Sequence, residues 1–269
     1  MNPLKRNNVR RTGRAGAPAI VFAHGFGCDH NMWRFVAPEF RDTHEVVLFD
    51  HVGHGGSRSR AYDAKKYSRL DGYAQDTVEI ADELGLRGAT LVGHSVSATI
   101  AMLAVLAARP GTFDRLVMVA PSPRFIDDGD YIGGFTRQDI DDLLAGMSDY
   151  PSWSDAMAPF IMGNPDRPEL AEELATTFCR TDEAIARDFA AVTFLSDHRA
   201  ELSRVDVPTL VIQALHDPIA PVQVGEYVHA AIPGSVLRML DAAGHCPNLS
   251  APLDTAEAIA DFLGVPAFA

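Results

Sequence analysis

The chain has 269 residues, of which 47% are apolar and 22% are charged, as is usual for a globular protein with one large core. Its formal net charge of −13 argues against binding to nucleic acid or to an anionic membrane surface, because both require a basic patch. The three scattered cysteines, Cys28, Cys179 and Cys246, are too few for a disulfide framework or a zinc site.

Neither of the segments that could act as a targeting or membrane signal has the required pattern. The basic N-terminus, residues 1–6, is not followed by an apolar segment, so no signal peptide is predicted. The longest mostly apolar stretch, residues 96–108, is too short to span a bilayer. We therefore expect a soluble, cytoplasmic protein without membrane contact.

Short apolar runs, each ending in glycine, proline or polar residues, recur along the chain and predict buried strands. They lie at residues 19–23, 45–50, 89–92, 115–120, 209–214 and 236–240. Helical patterns separate most of them, which predicts an α/β fold with a mostly parallel central sheet flanked by helices. Such sheets carry their functional sites at the carboxyl ends of the strands.

Between residues 125 and 195 the strand pattern stops and only helical periodicity remains. Three helix starts are marked by capping or first-turn residues: Thr136 with Asp139, Asp166 with Pro168, and Asp182. Another helix is marked by apolar residues predicted to share one face: Trp153, Met157, Phe160 and Ile161. We predict an α/β core of residues 1–123 and 196–269, with residues 124–195 inserted as a four-helix lid.

The third predicted strand runs into the sequence Gly93-His94-Ser95-Val96-Ser97, and a long apolar helix pattern follows at once. This is the layout of a nucleophile elbow, G-x-S-x-G, with Ser97 in place of the last glycine. A serine hydroxyl becomes a useful nucleophile when a sharp turn exposes it and a base takes its proton. Ser95 is the predicted nucleophile, and a plain serine in a glycine-flanked loop is the alternative.

An elbow serine requires an acid and then a base later in the chain. Asp217 follows the predicted strand at 209–214 and is the candidate acid, with a simple Asp-Pro turn as the alternative. Glu201 and Asp206 precede that strand and fit less well. His245 follows the last predicted strand and is the candidate general base and general acid, since none of the other nine histidines has both this position and this order.

The loop that follows the first predicted strand contains Gly25, Phe26 and Gly27 and is the candidate oxyanion loop. Glycines allow the backbone to turn an N–H group toward a site. The predicted donors are the backbone N–H groups of Phe26 and Val96, and a purely structural turn is the alternative.

Asp50, His51 and His54 are the residues that most suggest a metal site. Their spacing matches no strong metal motif, and a turn at the edge of the sheet explains them better. No phosphate-binding loop is visible either. We therefore predict a site without a metal or another cofactor.

The inserted helices and their flanks are rich in large apolar side chains, which either form the core of the insertion or line a pocket beneath it. These residues are Phe125, Phe135, Trp153, Met157, Phe160, Phe178 and Phe194. For each of them the sequence leaves both roles open. A pocket with such walls would favour small, largely apolar ligands.

Taken together, these motifs make the chain resemble the α/β-hydrolase superfamily. More narrowly it resembles the RsbQ-type group, which includes a bacterial stress-response regulator and the plant karrikin and strigolactone receptors. The matching segments run almost end to end, at residues 24–29, 70–76, 93–98, 121–124, 133–135, 194–197 and 244–247. Several of them lie outside the catalytic elements, so the resemblance is more specific than an elbow alone.

The resemblance implies a Ser–His–Asp triad on Ser95, His245 and Asp217, and a lid over an apolar pocket for small ligands. The positions that match pocket residues of the group are Phe26, Phe135, Phe178, Phe194 and Ile219. Met157 stands where the plant receptors carry a phenylalanine. Members of the group combine slow hydrolysis with signalling through a protein partner.

We predict a cofactor-free serine hydrolase that cleaves a small, largely apolar ester or lactone, such as a butenolide, through an acyl-enzyme. The first alternative is a ligand sensor whose lid docks a regulatory protein partner, with hydrolysis incidental. The second is another chemistry on the same fold: carbon–carbon hydrolysis and aryl ester hydrolysis stay open. A dehalogenase would carry an aspartate at the position of Ser95.

Overall fold

The computed structural model describes residues 1–265. Its strands are β1 (Arg10–Gly13), β2 (Ala19–Ala23), β3 (Glu45–Leu48), β4 (Ala89–His94), β5 (Phe113–Val119), β6 (Thr209–His216) and β7 (Val236–Ala243). Across this part of the chain they form one seven-stranded sheet in the order β1-β3-β2-β4-β5-β6-β7. β1 is antiparallel to β3, and the other neighbours are parallel. The predicted α/β fold is confirmed, and each of the predicted strands is present.

Helices connect the strands. They are α1 (Pro3–Arg6), α2 (Leu70–Leu84), α3 (Val96–Ala107), α4 (Arg137–Gly146), α5 (Tyr150–Met162), α6 (Pro168–Phe178), α7 (Glu183–Phe194), α8 (Arg199–Leu202), α9 (Val222–Ala231), α10 (Pro247–Ser250) and α11 (Pro252–Leu263). Short 3₁₀ turns lie at His30–Trp33, Ala37–Phe40, Ser59–Ala61 and Lys66–Ser68. None of the helices described in residues 1–265 is long and apolar enough to cross a membrane.

Alternate residues of the central strands pack on opposite faces of the sheet. In β2, Ile20 and Phe22 belong to the apolar core on one face. Val21 and Ala23 belong to the core on the other face. Because both faces are covered, the strand reads as a continuous apolar run rather than an alternating one. Full burial of each larger side chain stabilises the fold by about 1.5–3 kcal/mol.

The carboxyl ends of three parallel strands bring the predicted catalytic residues to one edge of the sheet. Ser95 lies in the one-residue turn between β4 and α3. Asp217 follows β6 directly, and His245 lies two residues after the end of β7. The topology therefore places these three residues together, as expected for a parallel sheet.

Helices α4 to α7 all lie between β5 and β6, where every residue of the chain is described. Thr136 and Asp139 form the predicted capping box of α4. Asp182 accepts from two backbone N–H groups at the start of α7. The cap of α6 differs by one residue from the prediction, because the helix begins at Pro168 and its N-cap is Arg167, not Asp166. The division of the chain into a core and a lid stays a prediction.

Candidate active site

Ser95 occupies a sharp turn between a buried strand and a buried helix. Its backbone angles, φ 56° and ψ −126°, lie outside the regions that residues with a side chain usually adopt. Its N–H donates to the Val119 carbonyl at 2.9 Å. β4 and α3 approach so closely that a Cβ at Gly93 would overlap the Ser97 carbonyl oxygen. The geometry of a nucleophile elbow is thus formed with Ser97 where the motif usually has glycine.

Ser95, His245 and Asp217 form one hydrogen-bonded chain. Ser95 Oγ lies 2.7 Å from His245 Nε2. The two carboxylate oxygens of Asp217 lie 2.8 and 3.0 Å from His245 Nδ1. An ionised carboxylate can only accept hydrogen bonds, so Nδ1 carries the proton and donates to Asp217. Nε2 then accepts a hydrogen bond from the Ser95 hydroxyl. This is the imidazole tautomer that a general base requires.

The Asp217 carboxylate is fixed by the backbone that follows it. Its Oδ1 accepts the N–H groups of Ile219 and Ala220 at 2.8 and 3.0 Å. Its Oδ2 makes the shorter contact with His245. Oδ1 therefore accepts from two backbone donors as well as facing the imidazole at 3.0 Å, and the orientation of the carboxylate does not depend on the imidazole alone.

The backbone of His245 is held from two sides within the base loop, residues 243–250. His94 donates from Nε2 to the His245 carbonyl oxygen at 2.7 Å. Burial lowers the pKa of His94 to about 3, so this ring is neutral near pH 7. On the other side, the His245 N–H donates to the Ile161 carbonyl oxygen, in the last turn of α5, at 2.8 Å.

Side chains after α5 add further contacts to the base loop. Asn164 Nδ2 donates to the Ala243 carbonyl oxygen at 3.0 Å. Arg167 donates to the Ser250 carbonyl oxygen at 2.8 Å. Gly244, at φ +85°, lies so close to α5 that a Cβ there would overlap the carbonyl oxygen of the helix's last residue. We call this arrangement of Ile161, Asn164 and Arg167 on the base loop the clamp.

Two backbone N–H groups near Ser95 donate to no acceptor within residues 1–265. The Val96 N–H is the first of α3, where no preceding helical carbonyl is available. The Phe26 N–H belongs to the loop after β2, in which a Cβ at Gly25 would lie 3.4 Å from the Ser95 Cβ. These are the two groups that the sequence predicts as oxyanion donors.

A cavity of about 30 Å³ lies against the triad. Its lining includes Ser95, His245 and the predicted pocket residues Phe26, Phe125, Trp153, Met157, Phe178, Phe194 and Ile219. It also includes residues that the sequence did not single out for the pocket: Cys28, His94, Ile161, Leu174, Thr193 and Cys246. This space is small compared with the pockets of about 300–1,000 Å³ that hold drug-sized ligands, so a ligand of that size must displace side chains to enter.

Two predicted pocket residues do not line this cavity. Phe160 is 46% exposed, because the buried face of α5 runs through Ala158 and Met162, each of which lies about 160° around the helix from Phe160. Phe135 is half-buried and pairs through its backbone with the segment after β5, where its N–H donates to the Phe125 carbonyl oxygen at 3.2 Å. Both residues are therefore corrected from pocket positions to structural ones.

The additional lining residues follow from helical spacing once one pocket residue on the same helix is known. Ile161 lies one turn after Met157 on α5, and Leu174 lies one turn before Phe178 on α6. Thr193 precedes Phe194 at the end of α7 and is the one hydroxyl-bearing residue of the lining besides Ser95. No pattern in the sequence distinguishes Cys28 or Cys246 as pocket residues.

Three buried histidines pack together close to the oxyanion loop. The ring of His24 lies 4.7 Å from that of His51 and 5.6 Å from that of His54. Burial lowers the pKa of His24 and His51, and it lowers the pKa of His54 to about 3. His51 donates from Nε2 to Ser97 Oγ at 2.7 Å, and Ser97 donates to the His24 carbonyl oxygen. Among residues 1–265 no group of three potential ligands is arranged to hold a metal ion.

We expect the free energy of unfolding to fall steeply between pH 6.5 and pH 4.5. The lowered pKa values of His51, His54 and His94 mean that the unfolded chain binds more protons than the folded chain in this window, so acid favours unfolding. Each such histidine lowers the free energy of unfolding by about 1.4 kcal/mol for every unit by which the pH falls in this window. His30 opposes the trend, because its hydrogen bond to Asp50 raises its pKa and stabilises the fold below pH 6.5.

Urea unfolding at pH 7.5, 6.5, 5.5 and 4.5 measures this dependence. The substitution His54→Phe keeps a ring against Phe189, whose centroid lies 4.9 Å away, and should reduce the slope by about one proton. His216→Asn changes an exposed histidine and should leave the slope unchanged. A free energy of unfolding that stays constant from pH 6.5 to 4.5 in the parent protein would contradict the expectation.

Comparison with known proteins identifies the family of this chain. The family model described as the alpha/beta hydrolase family matches residues 20–258. A karrikin-insensitive receptor of Petunia hybrida is 38% identical over 248 residues, which cover 91% of each chain. A strigolactone esterase of Arabidopsis thaliana is 36% identical over 258 residues, covering 95% of this chain and 96% of the relative.

The solved structures add a bacterial relative. A hydrolase from Oleispira antarctica superimposes with a TM-score of 0.92 at 39% sequence identity, covering 97% of this chain and 96% of that one. The resemblance to α/β hydrolases, including the plant receptor hydrolases, is confirmed. The chain is a hydrolase that belongs to the alpha/beta hydrolase family.

Proposed function

We propose that the chain is a serine hydrolase that cleaves a compact, largely apolar ester or lactone through an acyl-enzyme. The observation that carries the proposal is the hydrogen-bonded chain from Asp217 through His245 to Ser95 at the wall of a mostly apolar cavity. Two relatives, described as a karrikin-insensitive receptor and a strigolactone esterase, support a small ligand of this kind.

The proposed reaction has two halves. Ser95 Oγ attacks the substrate carbonyl carbon while His245 Nε2 takes its proton, and the N–H groups of Phe26 and Val96 donate to the oxyanion. The tetrahedral intermediate collapses, the carbon–oxygen bond to the alcohol breaks, and His245 returns the proton to the leaving oxygen. Water then attacks the acyl-enzyme with the same proton transfers, which releases the acid and restores Ser95.

A lactone follows the same steps with one difference. Its leaving oxygen stays attached to the acyl group, so acylation opens the ring without releasing a fragment. The cavity then has to hold the whole opened ligand until deacylation. This requirement, together with the small volume at the triad, favours compact lactones over large ones.

We expect activity to fall steeply along a series of p-nitrophenyl esters from acetyl or butyryl to acyl chains of about eight carbons. A short acyl group displaces few side chains from the cavity, whereas a longer chain has to separate α5, α6 and α7 from the core and expose apolar surface at about 25 cal/mol per Å². Initial rates over the series give kcat/KM for each ester. A flat profile that extends to long chains would indicate an open groove and would contradict the proposal.

A variant with a larger cavity tests whether the size of the cavity sets this chain-length preference. The side chain of Leu174 lies between the cavity and a neighbouring surface cleft of about 100 Å³, and it lines both. Leu174→Ala shortens this side chain and so enlarges the cavity. This variant should shift the preference toward longer acyl chains. Leu253→Ala changes a side chain that is 68% exposed and serves as the control that leaves the profile unchanged.

A second candidate is a ligand sensor that binds a protein partner through the insertion. The observation that favours it is charge, since residues 124–195 contain fifteen acidic and five basic residues. A partner would therefore present a basic surface. Hydrogen exchange of the Ser95→Ala protein, with and without a lactone, tests the sensor, because a sensor requires a ligand-dependent change in α4 to α7. A bound lactone that leaves the protection of these helices unchanged would contradict it.

A further inference from the structure

The cavity is largely apolar, and its polar lining consists of Ser95 and His245 together with His94, Trp153 and Thr193. Thr193, on α7, is 1% exposed and lines the cavity, and its hydroxyl has no hydrogen-bond partner in the protein. Trp153 also lines the cavity, and its indole Nε1 has no partner in the protein either. The indole can only donate, whereas a hydroxyl can donate or accept.

The free hydroxyl of Thr193 is unusual for a threonine in a helix of this protein. The hydroxyls of Thr77, Thr176, Thr177 and Thr255 each donate to the carbonyl oxygen four residues earlier, at 2.8 to 3.2 Å. This local hydrogen bond is the common way to satisfy a helical threonine. Thr193 does not make it, although a buried hydroxyl without a partner is costly to the fold.

We propose that Thr193 is a specificity-determining residue that donates a hydrogen bond to a second oxygen of the ligand, separate from the carbonyl that Ser95 attacks. The preferred ligand is then a compact ester or lactone that carries an ether or carbonyl oxygen elsewhere in its skeleton. The inference rests on the proposed hydrolase function, because it assigns the second oxygen to the substrate of that same site.

The selectivity follows from the state of the hydroxyl in the two complexes. A purely apolar ligand would fill the cavity and leave the Thr193 hydroxyl buried without a partner. A ligand with an oxygen at that point would satisfy it. Sites built to hydrogen-bond a ligand group discriminate strongly against the analogue that lacks it. Phe178 and Phe194, which also line the cavity, offer only apolar contact to that ligand.

A matched pair of substrates tests the proposal. p-Nitrophenyl methoxyacetate and p-nitrophenyl butyrate have acyl groups of the same length and differ by one oxygen in place of one methylene. The kcat/KM for the methoxyacetate is divided by the kcat/KM for the butyrate. This ratio is measured in the parent and in Thr193→Val, which keeps the branched shape and removes the hydroxyl. The intrinsic reactivity of the two esters cancels when the ratios are compared. We expect the ratio to fall about tenfold in Thr193→Val.

Three further variants fix the interpretation. Thr193→Ser keeps the hydroxyl and should retain the parent ratio. Thr255→Val, a buried helical threonine away from the cavity, should leave the ratio unchanged. A ratio that is unchanged in Thr193→Val overturns the inference. A ratio that falls in Trp153→Phe but stays at the parent value in Thr193→Val also overturns it, because the indole would then be the group that contacts the oxygen.

A binding measurement separates this inference from the hydrolase proposal. Calorimetry with the same two esters on the Ser95→Ala protein, with and without Thr193→Val, gives the affinity ratio without turnover. A parent protein that hydrolyses neither ester overturns the hydrolase proposal, and the affinity ratio then decides the role of Thr193 alone. If the parent is active and neither the kinetic ratio nor the affinity ratio changes in Thr193→Val, only the inference is overturned.

Discussion

Replacement of Ser95 by alanine is expected to reduce ester hydrolysis by at least about 10³-fold while the fold is preserved. In the proposed mechanism the hydroxyl forms the acyl-enzyme, and the imidazole of His245 lies 2.7 Å from it. Alanine places the same Cβ in the elbow at φ 56°, so the backbone of the turn is no more constrained than before. Rates with p-nitrophenyl acetate and a thermal melt measure the two parts of the prediction.

Ser97 provides the matched control, because it is a buried serine two residues after Ser95, in the first turn of α3. Its hydroxyl donates to the His24 carbonyl oxygen and accepts from His51. Ser97→Ala should therefore lose about 1–3 kcal/mol of stability and keep the acyl-enzyme chemistry. A Ser95→Ala protein that turns over like the parent would remove the basis for the assigned nucleophile.

Asp217→Asn is expected to lower kcat by about 10⁴-fold, the size of the effect of the equivalent change in a serine protease. The reason lies in the backbone around the carboxylate. Ile219 and Ala220 both donate to Oδ1, so an asparagine must turn its carbonyl oxygen toward them. Its NH₂ group then faces His245 Nδ1 and favours the tautomer with the proton on Nε2, which cannot accept the Ser95 hydroxyl.

The effects of Asp217→Asn on kcat and KM test whether Asp217 is the acid. KM should change little, because the carboxylate lies behind the imidazole and outside the cavity lining. Glu201→Gln and Asp206→Asn change the other carboxylates considered for this role and should leave kcat within a few-fold of the parent. An Asp217→Asn protein with the parent kcat, alongside a slow Glu201 or Asp206 variant, would show that the acid is misassigned.

The sheet was predictable from the sequence except at its edge. The buried strands are runs of apolar residues that pack on both faces, and this pattern is visible without the structure. β1 was missed, because its residues are exposed and include Arg10 and Arg11. It pairs with β3 through backbone hydrogen bonds, which leave no trace in the side-chain pattern.

The meeting of Ser95, Asp217 and His245 was predictable from chain order, whereas the lining of the cavity was predictable only in part. Ser95, Asp217 and His245 each follow a strand of one parallel sheet, so their convergence follows from the topology. Membership of the cavity depends on how each inserted helix is rotated about its axis. This rotation excludes Phe160 and includes Thr193, and neither outcome follows from periodicity alone.

The clamp makes the insertion and the active site a single mechanical unit. The carbonyl of Ile161 and the side chains of Asn164 and Arg167 all bind the loop that carries His245. A chimera that receives residues 124–195 from another family member, without the matching residues 243–250, would therefore acquire a misplaced imidazole along with its new pocket. Evolution of a new ligand preference through α5 is constrained in the same way, since a shift of that helix also shifts the base.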